Sequence, residues 1–223
     1  LQLTFDAFHT DSNRIFQTYF ANNDPESARK SGTMPIPLTP ALKAEYPEIE
    51  AAARIVSGRK SLIEYQGKYF DKLVTLTDPD FMKVFSFPLR KGNREAVLQE
   101  LSSIVLSENT AKAIFGNDDP IGKSLKIGNE GNQKQYIVTG ILSDAPYNST
   151  IQYDALIRVE NLANYQSEKD NWSNNSHLVF VKTSPQVTQA SFENRLKSFA
   201  KKYYAGVIET LVKKGVKPDE RGD

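Results

Sequence analysis

Gly116, Gly122, Lys123 and Ser124 lie in the stretch AIFGNDDPIGKS (113–124), close to the pattern by which glycine-rich loops wrap a phosphate. Such a loop needs four residues between its first glycine and the Gly-Lys pair, so that successive amides converge on one phosphate and the lysine reaches its oxygens. Here five residues, NDDPI, intervene. Pro120 has no amide to give, and Asp118 and Asp119 would repel an anion. The flanking patterns are also inverted, with a helix entering and a strand leaving, whereas phosphate loops run from strand into helix N-terminus. The residues therefore predict a turn. Gly116 ends a helix in the left-handed region, Asn117 to Asp119 reverse the chain, Pro120 with Gly122 sets the entry to the next strand, and Lys123 is a solvated flank.

Other combinations offer less chemistry. His9 and His177 are far apart and have no metal-ligand spacing, so surface or hydrogen-bonded histidines are expected. Asp78, Asp80, Asp118, Asp119 and Asp144 could form an acid pair only through tertiary structure, and solvated turn positions are the expectation for all five. A Gly-x-Ser-x-Gly elbow is absent, and the lack of cysteine excludes disulfides and thiolate metal sites. The closing Arg221-Gly222-Asp223 matches an adhesion tripeptide, a match too short to carry a function. Asn148, Asn171 and Asn174 open sequons whose meaning depends on the source.

The elements that would position these residues must come from a chain of 223 residues, 39% hydrophobic and 25% charged, which is enough for a core and one or two domains. A formal charge of +1 gives no field that would gather nucleic acid or an anionic membrane. No run of about 18 apolar residues is present. The opening LQLTFDAFHT is neither a translation start nor a signal peptide, so the chain is expected to be a piece of a longer protein.

RIFQTYF (14–20) predicts a strand, and ANNDPESARKSG a loop. In LTPALKAEYPEIEAAARI, Thr39 is the expected cap of a short helix with Pro40 first inside it, ended by Pro47. Residues 53–77 predict antiparallel strands broken at Gly58 and at Gln66 to Lys68. PDFMKVF predicts a short helix with Phe81, Met82 and Phe85 on one side. SSIVLS predicts a buried strand and ENTAKAIF a helix capped by Ser107, and SLKIG, QYIVTGILSD and IQYDALIRVE predict further strands. HLVFVKT is one more strand. It precedes an amphipathic helix on which Phe192, Leu196, Phe199, Tyr203, Val207 and Leu211 recur every three or four residues. The result is an α+β chain with a mixed zone, 1–100 plus 176–223, interrupted by a β-rich lobe at 101–175.

SIVLSENTAKAIFGNDDPIGKSLKIG followed by QYIVTGILSDAPYNSTIQYDALI closely resembles the core of the extracytoplasmic domain of MacB/FtsX-type ABC transporter permeases. There a helix ends in Phe-Gly, continues through Asp-Pro-x-Gly-Lys and leads to a strand reading V-x-G-I-x-x-D; the matching positions are Phe115, Gly116, Asp119, Pro120, Gly122, Lys123, Gly140 and Asp144. FDAFHTDSNRIFQTY resembles the segment after the first transmembrane helix, especially in Bacteroidetes members. TPALKAEYPEIEAAARI, DPDFMKVFSFPLRKGN and WSNNSHLVFVKTSP match collinearly as well, so the likeness spans nearly the whole chain.

The resemblance implies a periplasmic domain on the inner membrane, between transmembrane helices one and two, with a porter-like α/β part and an inserted strand-rich lobe called the Sabre. It implies no catalytic residue, metal or cofactor here, ATP being used by a cytoplasmic ABC ATPase subunit, separate or fused. Cytoplasmic closure would be transmitted through the helices to move a periplasmic substrate, with a periplasmic or outer-membrane partner or a lipoprotein or peptide as cargo. The parent would be a dimer through its membrane part and the isolated domain a monomer. A membrane-anchored sensor or ligand-binding domain is the competing reading. Tyr165, Trp172, Tyr203 and Tyr204 are the aromatic residues a docking surface would use.

Overall fold

The computed structural model describes residues 6–21, 30–129 and 131–213. Along the chain run β1 (Ile15–Gln17), β2 (Phe20–Ala21), β3 (Lys30–Ser31), α1 (Leu38–Glu45), β4 (Ile49–Tyr65), β5 (Lys68–Thr77), α2 (Phe81–Val84), β6 (Leu89–Gly92), β7 (Ser103–Ser107) and α3 (Glu108–Phe115). They are followed by β8 (Ser124–Ile127), β9 (Lys134–Leu142), β10 (Ala155–Arg158), α4 (Tyr165–Glu168), β11 (Leu178–Thr183) and α5 (Gln189–Lys213). The chain divides into two compact units, Leu1–Ser12 with Ala53–Tyr165 and Asn13–Ala52 with Gln166–Asp223. These differ from the zones expected from composition, 1–100 plus 176–223 and 101–175. β5 and most of β4 belong with the strand-rich unit, because β5 pairs in parallel with β10 and β4 pairs with β8.

Those pairings close a ring. Within the first unit β4 pairs with β5, β5 with β10, β10 with β7, β7 with β9, β9 with β8, and β8 again with β4. The result is a six-stranded barrel, with β6 attached outside the ring on β9. Side chains alternate across a strand, so residues two apart face the same way. Ile104 and Leu106, Tyr136 and Val138, Ala155 and Ile157, Leu125 and Ile127 thus fill one interior, together with Ile63 and Val74. Ala111, Ile114 and Phe115 of α3 are packed into the same core.

The turn between β4 and β5 is formed by Gln66 (φ 50°) and Gly67 (φ 76°), the two positive-φ positions that a two-residue hairpin with right-twisted strands requires. Glu64 accepts a hydrogen bond from the Gly67 amide at 2.7 Å. Gly58 does not break the strand as expected. β4 runs straight through it with a register shift between Val56 and Arg59, and a Cβ there would lie 2.6 Å from Thr75 Oγ1 and 2.8 Å from Leu73 Cγ. Close packing, not a turn, is what glycine serves at this position.

In the second unit β1 pairs antiparallel with β11, and β2 with β3. The expected strand 14–20 is therefore two pieces, with Arg14 in a short 3-10 turn. α1 starts two residues earlier than Thr39 predicts: Pro37 occupies the cap position, no side chain caps the helix, and Thr39 is buried inside it. Tyr46, extended at φ −120° and ψ 91°, ends α1 before Pro47, as the clash of a proline ring with a helical predecessor dictates. α5 lays Phe192, Leu196, Phe199 and Tyr203 on a core of Leu38, Leu42, Tyr46, Ile49, Val179 and Val181. The side chain of Leu211, the Glu130 position and Arg221 to Asp223 lie outside the described residues.

Candidate functional site

α3 and the loop after it gather the residues that the sequence singles out. Ser107 caps α3 by accepting from the Thr110 amide at 3.2 Å. Asp144, at the end of the β9 segment, accepts from the Asn109 amide at 3.2 Å, placing a carboxylate on a second free donor of the same first turn. The two halves of the recognised pattern, the helix and the strand ending in Asp144, thus meet at one helix terminus. At the other end Gly116 stops the helix with φ 63° and ψ −116°. That positive φ is shared with the left-handed region that was expected, but the ψ lies outside it, in a zone that favours glycine.

Phe115 enters the barrel core and meets the Tyr65 ring at 4.6 Å. The loop beyond it spends its amides internally. Gly116 donates to Lys112 O, Asp118 to Phe115 O, Gly122 to Val138 O at 2.8 Å and Lys123 to Pro120 O, while Val138 donates back to Lys123 O at 2.9 Å. The Ile121 amide is taken by Asp119 Oδ1 at 3.3 Å. Pro120 is buried and Gly122 turns at φ 78°. A cradle needs several of these amides pointing at one anion, and they are already engaged.

The charges are satisfied locally in the same way. Lys123 pairs with Asp118 at 2.9 Å and its ammonium lies 5.4 Å from the Phe115 ring, so it is held against the loop and is not the solvated flank expected. The Asp118 carboxylate holds the Lys123 ammonium above its ordinary value. Lys91 pairs with Asp119 at 3.0 Å and, with the Ile121 amide, keeps that carboxyl below the usual range. Gly140 lies in β9 where a Cβ would come within 2.7 Å of Val97 Cγ1. Beside it the β7 register skips a residue, and Thr139 Oγ1 donates to Val97 O at 2.6 Å.

The five aspartates do not converge as an acid pair. Asp80 is buried, not the solvated turn residue expected, and meets Lys83 at 3.0 Å. Asp78 is not a solvated turn residue: it is buried and takes three donors from Arg54, the backbone amide at 2.6 Å, Nε at 2.9 Å and Nη2. Burial works against the Arg54 charge, yet the Asp78 carboxylate holds the guanidinium above its ordinary value. Sequence reasoning missed Arg54, although an arginine inside the apolar run IEAAARIV is the signal that a buried partner must exist. Both histidines are buried and hydrogen-bonded through Nδ1, the second of the two expected alternatives, His9 with the Ser86 amide and His177 with the Ser176 hydroxyl.

Nor do the four aromatic candidates form an exposed patch. Trp172 stacks on Tyr203 at 4.6 Å and meets Tyr204 edge-on at 5.2 Å, while Tyr165 covers Arg54 at 5.8 Å. The large exposed apolar side chains are others, Tyr147 at 94% and Tyr69 at 52% among them. An open groove of about 500 Å³ borders Asp170, Asn171, Trp172 and Val207. Among the described residues no group of three or more metal-ligating side chains occurs, and no helix is long and apolar enough to cross a membrane.

A closed barrel with a helix packed into its core, and a loop whose carboxylates are paired locally, defines a mixed α/β module. The profile of the MacB-like periplasmic core domain matches residues 1–199, and the chain belongs to that family, the extracytoplasmic domains of MacB/FtsX-like ABC transporter permeases. It is similar in structure to a domain assigned to a permease protein from Porphyromonas gingivalis, with TM-score 0.74 and 23% identity over 86% of this chain and 81% of that one. It is also similar to the periplasmic region of MacB from Actinobacillus actinomycetemcomitans, with TM-score 0.59 and 18% identity over 90% and 92% of the two chains. At these identities the likeness is one of fold. No match was found among curated proteins.

Proposed function

We propose that this domain transmits force: ATP hydrolysed by a cytoplasmic ABC ATPase, separate or fused, moves it through adjoining membrane helices, and it in turn moves a substrate outside the cytoplasm. The observation that carries this reading is the bonding of the Phe115 to Ser124 loop, where the Gly116, Asp118, Ile121, Gly122 and Lys123 amides and the Asp118, Asp119 and Lys123 charges are engaged within the loop or with α3, β6 and β9. A body that must hand on a displacement needs such satisfied, closely packed contacts, because loosely held groups absorb the motion. The same engagement of amides supports a loop that cradles no phosphate. Lipoprotein or peptide cargo, a periplasmic or outer-membrane partner, and a dimeric parent belong to the same proposal.

Titration of the isolated domain with Mg·ATP by calorimetry, beside transport assays of the full-length permease with its ATPase, tests it. The expected result is no heat of binding to the domain and strictly ATP-dependent substrate movement by the complex. Nucleotide binding by the domain that is lost in Lys123→Ala would overturn it.

A further inference from the structure

Residues 6–12 form a short strap, and one histidine holds it. Asp6 and Asp11 both take positive φ, 55° and 60°, so the strap is built on two tight turns at positions where aspartate is tolerated. Its outer end is tied by Asp6, whose carboxylate accepts from the Thr150 amide at 3.0 Å, Thr150 Oγ1 at 2.6 Å and Ser149 Oγ at 3.2 Å. Its inner end is tied by His9, which is only 6% exposed. His9 Nδ1 accepts from the Ser86 amide at 3.1 Å, and Ser86 Oγ accepts from the Thr10 amide at 2.9 Å. The ring is walled by Phe8 at 4.2 Å, Phe87 at 4.9 Å and Phe85 at 5.2 Å, and its Nε2 is buried with no hydrogen-bond partner.

We propose that His9 is a proton-operated latch that holds the strap on the first unit when neutral and releases it when protonated. An acceptor at Nδ1 means that the neutral ring carries its proton on Nε2. A second proton can go only to Nδ1, where it faces the Ser86 N–H, donor against donor, so the bond that pins the strap is lost. The imidazolium would also sit buried among phenyl rings with no acceptor, and such an ion is costly without a partner. Attraction to the aromatic rings offsets part of this cost without supplying an acceptor. The titratable group acting on the ring from the strap is Asp6, which favours the charged form; from the segment between α2 and β6 the ring meets Phe85, Ser86 and Phe87, none of which titrates in this range. Burial outweighs Asp6 and holds His9 below the ordinary histidine value. The sign follows: the latch is fully engaged above the free histidine value and weakens as pH falls through it.

Amide hydrogen exchange of the whole chain, corrected for intrinsic rates, reads the latch at Thr10 and Ser86. Protection at both should fall about tenfold for each pH unit below roughly 6.5, until the bound ring itself protonates. His9→Asn, whose side-chain oxygen can accept the Ser86 amide without titrating, should show protection independent of pH in that window. Equal wild-type protection at pH 7.5 and 5, or the same loss in His9→Asn, would overturn the proposal. The chain has two histidines, so His177→Asn leaves one imidazole to follow by NMR. A His9 midpoint below that of free histidine supports the latch even where His9→Asn does not fold, and a midpoint above it contradicts the latch.

Discussion

The two units stabilise themselves by different means. In the first, a ring of strands closes on itself, a helix fills its core, and a charged pair, Arg54 with Asp78, is buried in its wall. In the second, α5 covers one side of a small core through aromatic rings, and its ion pairs, Arg195 with Glu48 and Lys202 with Glu45, are partly open to water. Closure removes strand edges and lets every wall strand support its neighbours, whereas a helix laid on one side depends on a single stripe of contacts. The first unit should resist deformation as a whole, and the second should loosen locally around α5.

The sharpest way to break that comparison is to unbalance the buried pair. Asp78→Ala leaves the Arg54 charge without its partner and should destabilise the first unit by about 4 kcal/mol, read by urea unfolding with exchange at barrel amides. Next come matched cavities. Leu125→Ala in the barrel and Phe199→Ala under α5 should each remove about 3 kcal/mol, the first lowering protection across all six strands and the second within α5 and α1. Uniform loss in both variants would show that the units do not differ in cooperativity. Gly140→Ala forces a Cβ against Val97 and should cost about 2 kcal/mol, with the exchange change centred on β9 and β6. Ser107→Ala removes the α3 cap and should cost about 1 kcal/mol, seen as faster exchange at Thr110 alone.

What the sequence revealed was local. α3 was legible to the residue because its cap, its apolar face and its terminal glycine are all within one short stretch, and the Gln66-Gly67 turn was legible because two positive-φ residues stand between alternating strands. Barrel closure was not legible: it rests on Ile63 meeting Ile127 and on Ala155 meeting Val74, contacts between distant segments that no local pattern encodes. The two contact-based units differ from the compositional zones for the same reason. Gly58 misled because crowding from Leu73 and Thr75, invisible in one dimension, requires glycine there. Thr39 misled because a preferred cap residue two positions late becomes an interior residue. At the candidate site the rejection of a phosphate loop came from spacing, proline and paired aspartates, while the engagement of Lys123 with Asp118 and of Asp144 with α3 needed the fold.

The central claim is that the first unit moves as one body when the transporter turns over. The chain contains no cysteine, so paired labels on Lys60→Cys and Lys112→Cys in a full-length parent free of other cysteines report one distance within the barrel unit, and Lys60→Cys with a labelled lipid headgroup reports its height above the bilayer. On adding ATP to the reconstituted complex, the intra-unit distance should stay constant while the distance to the bilayer changes. A changed intra-unit distance, or active transport with neither distance changing, would contradict the account.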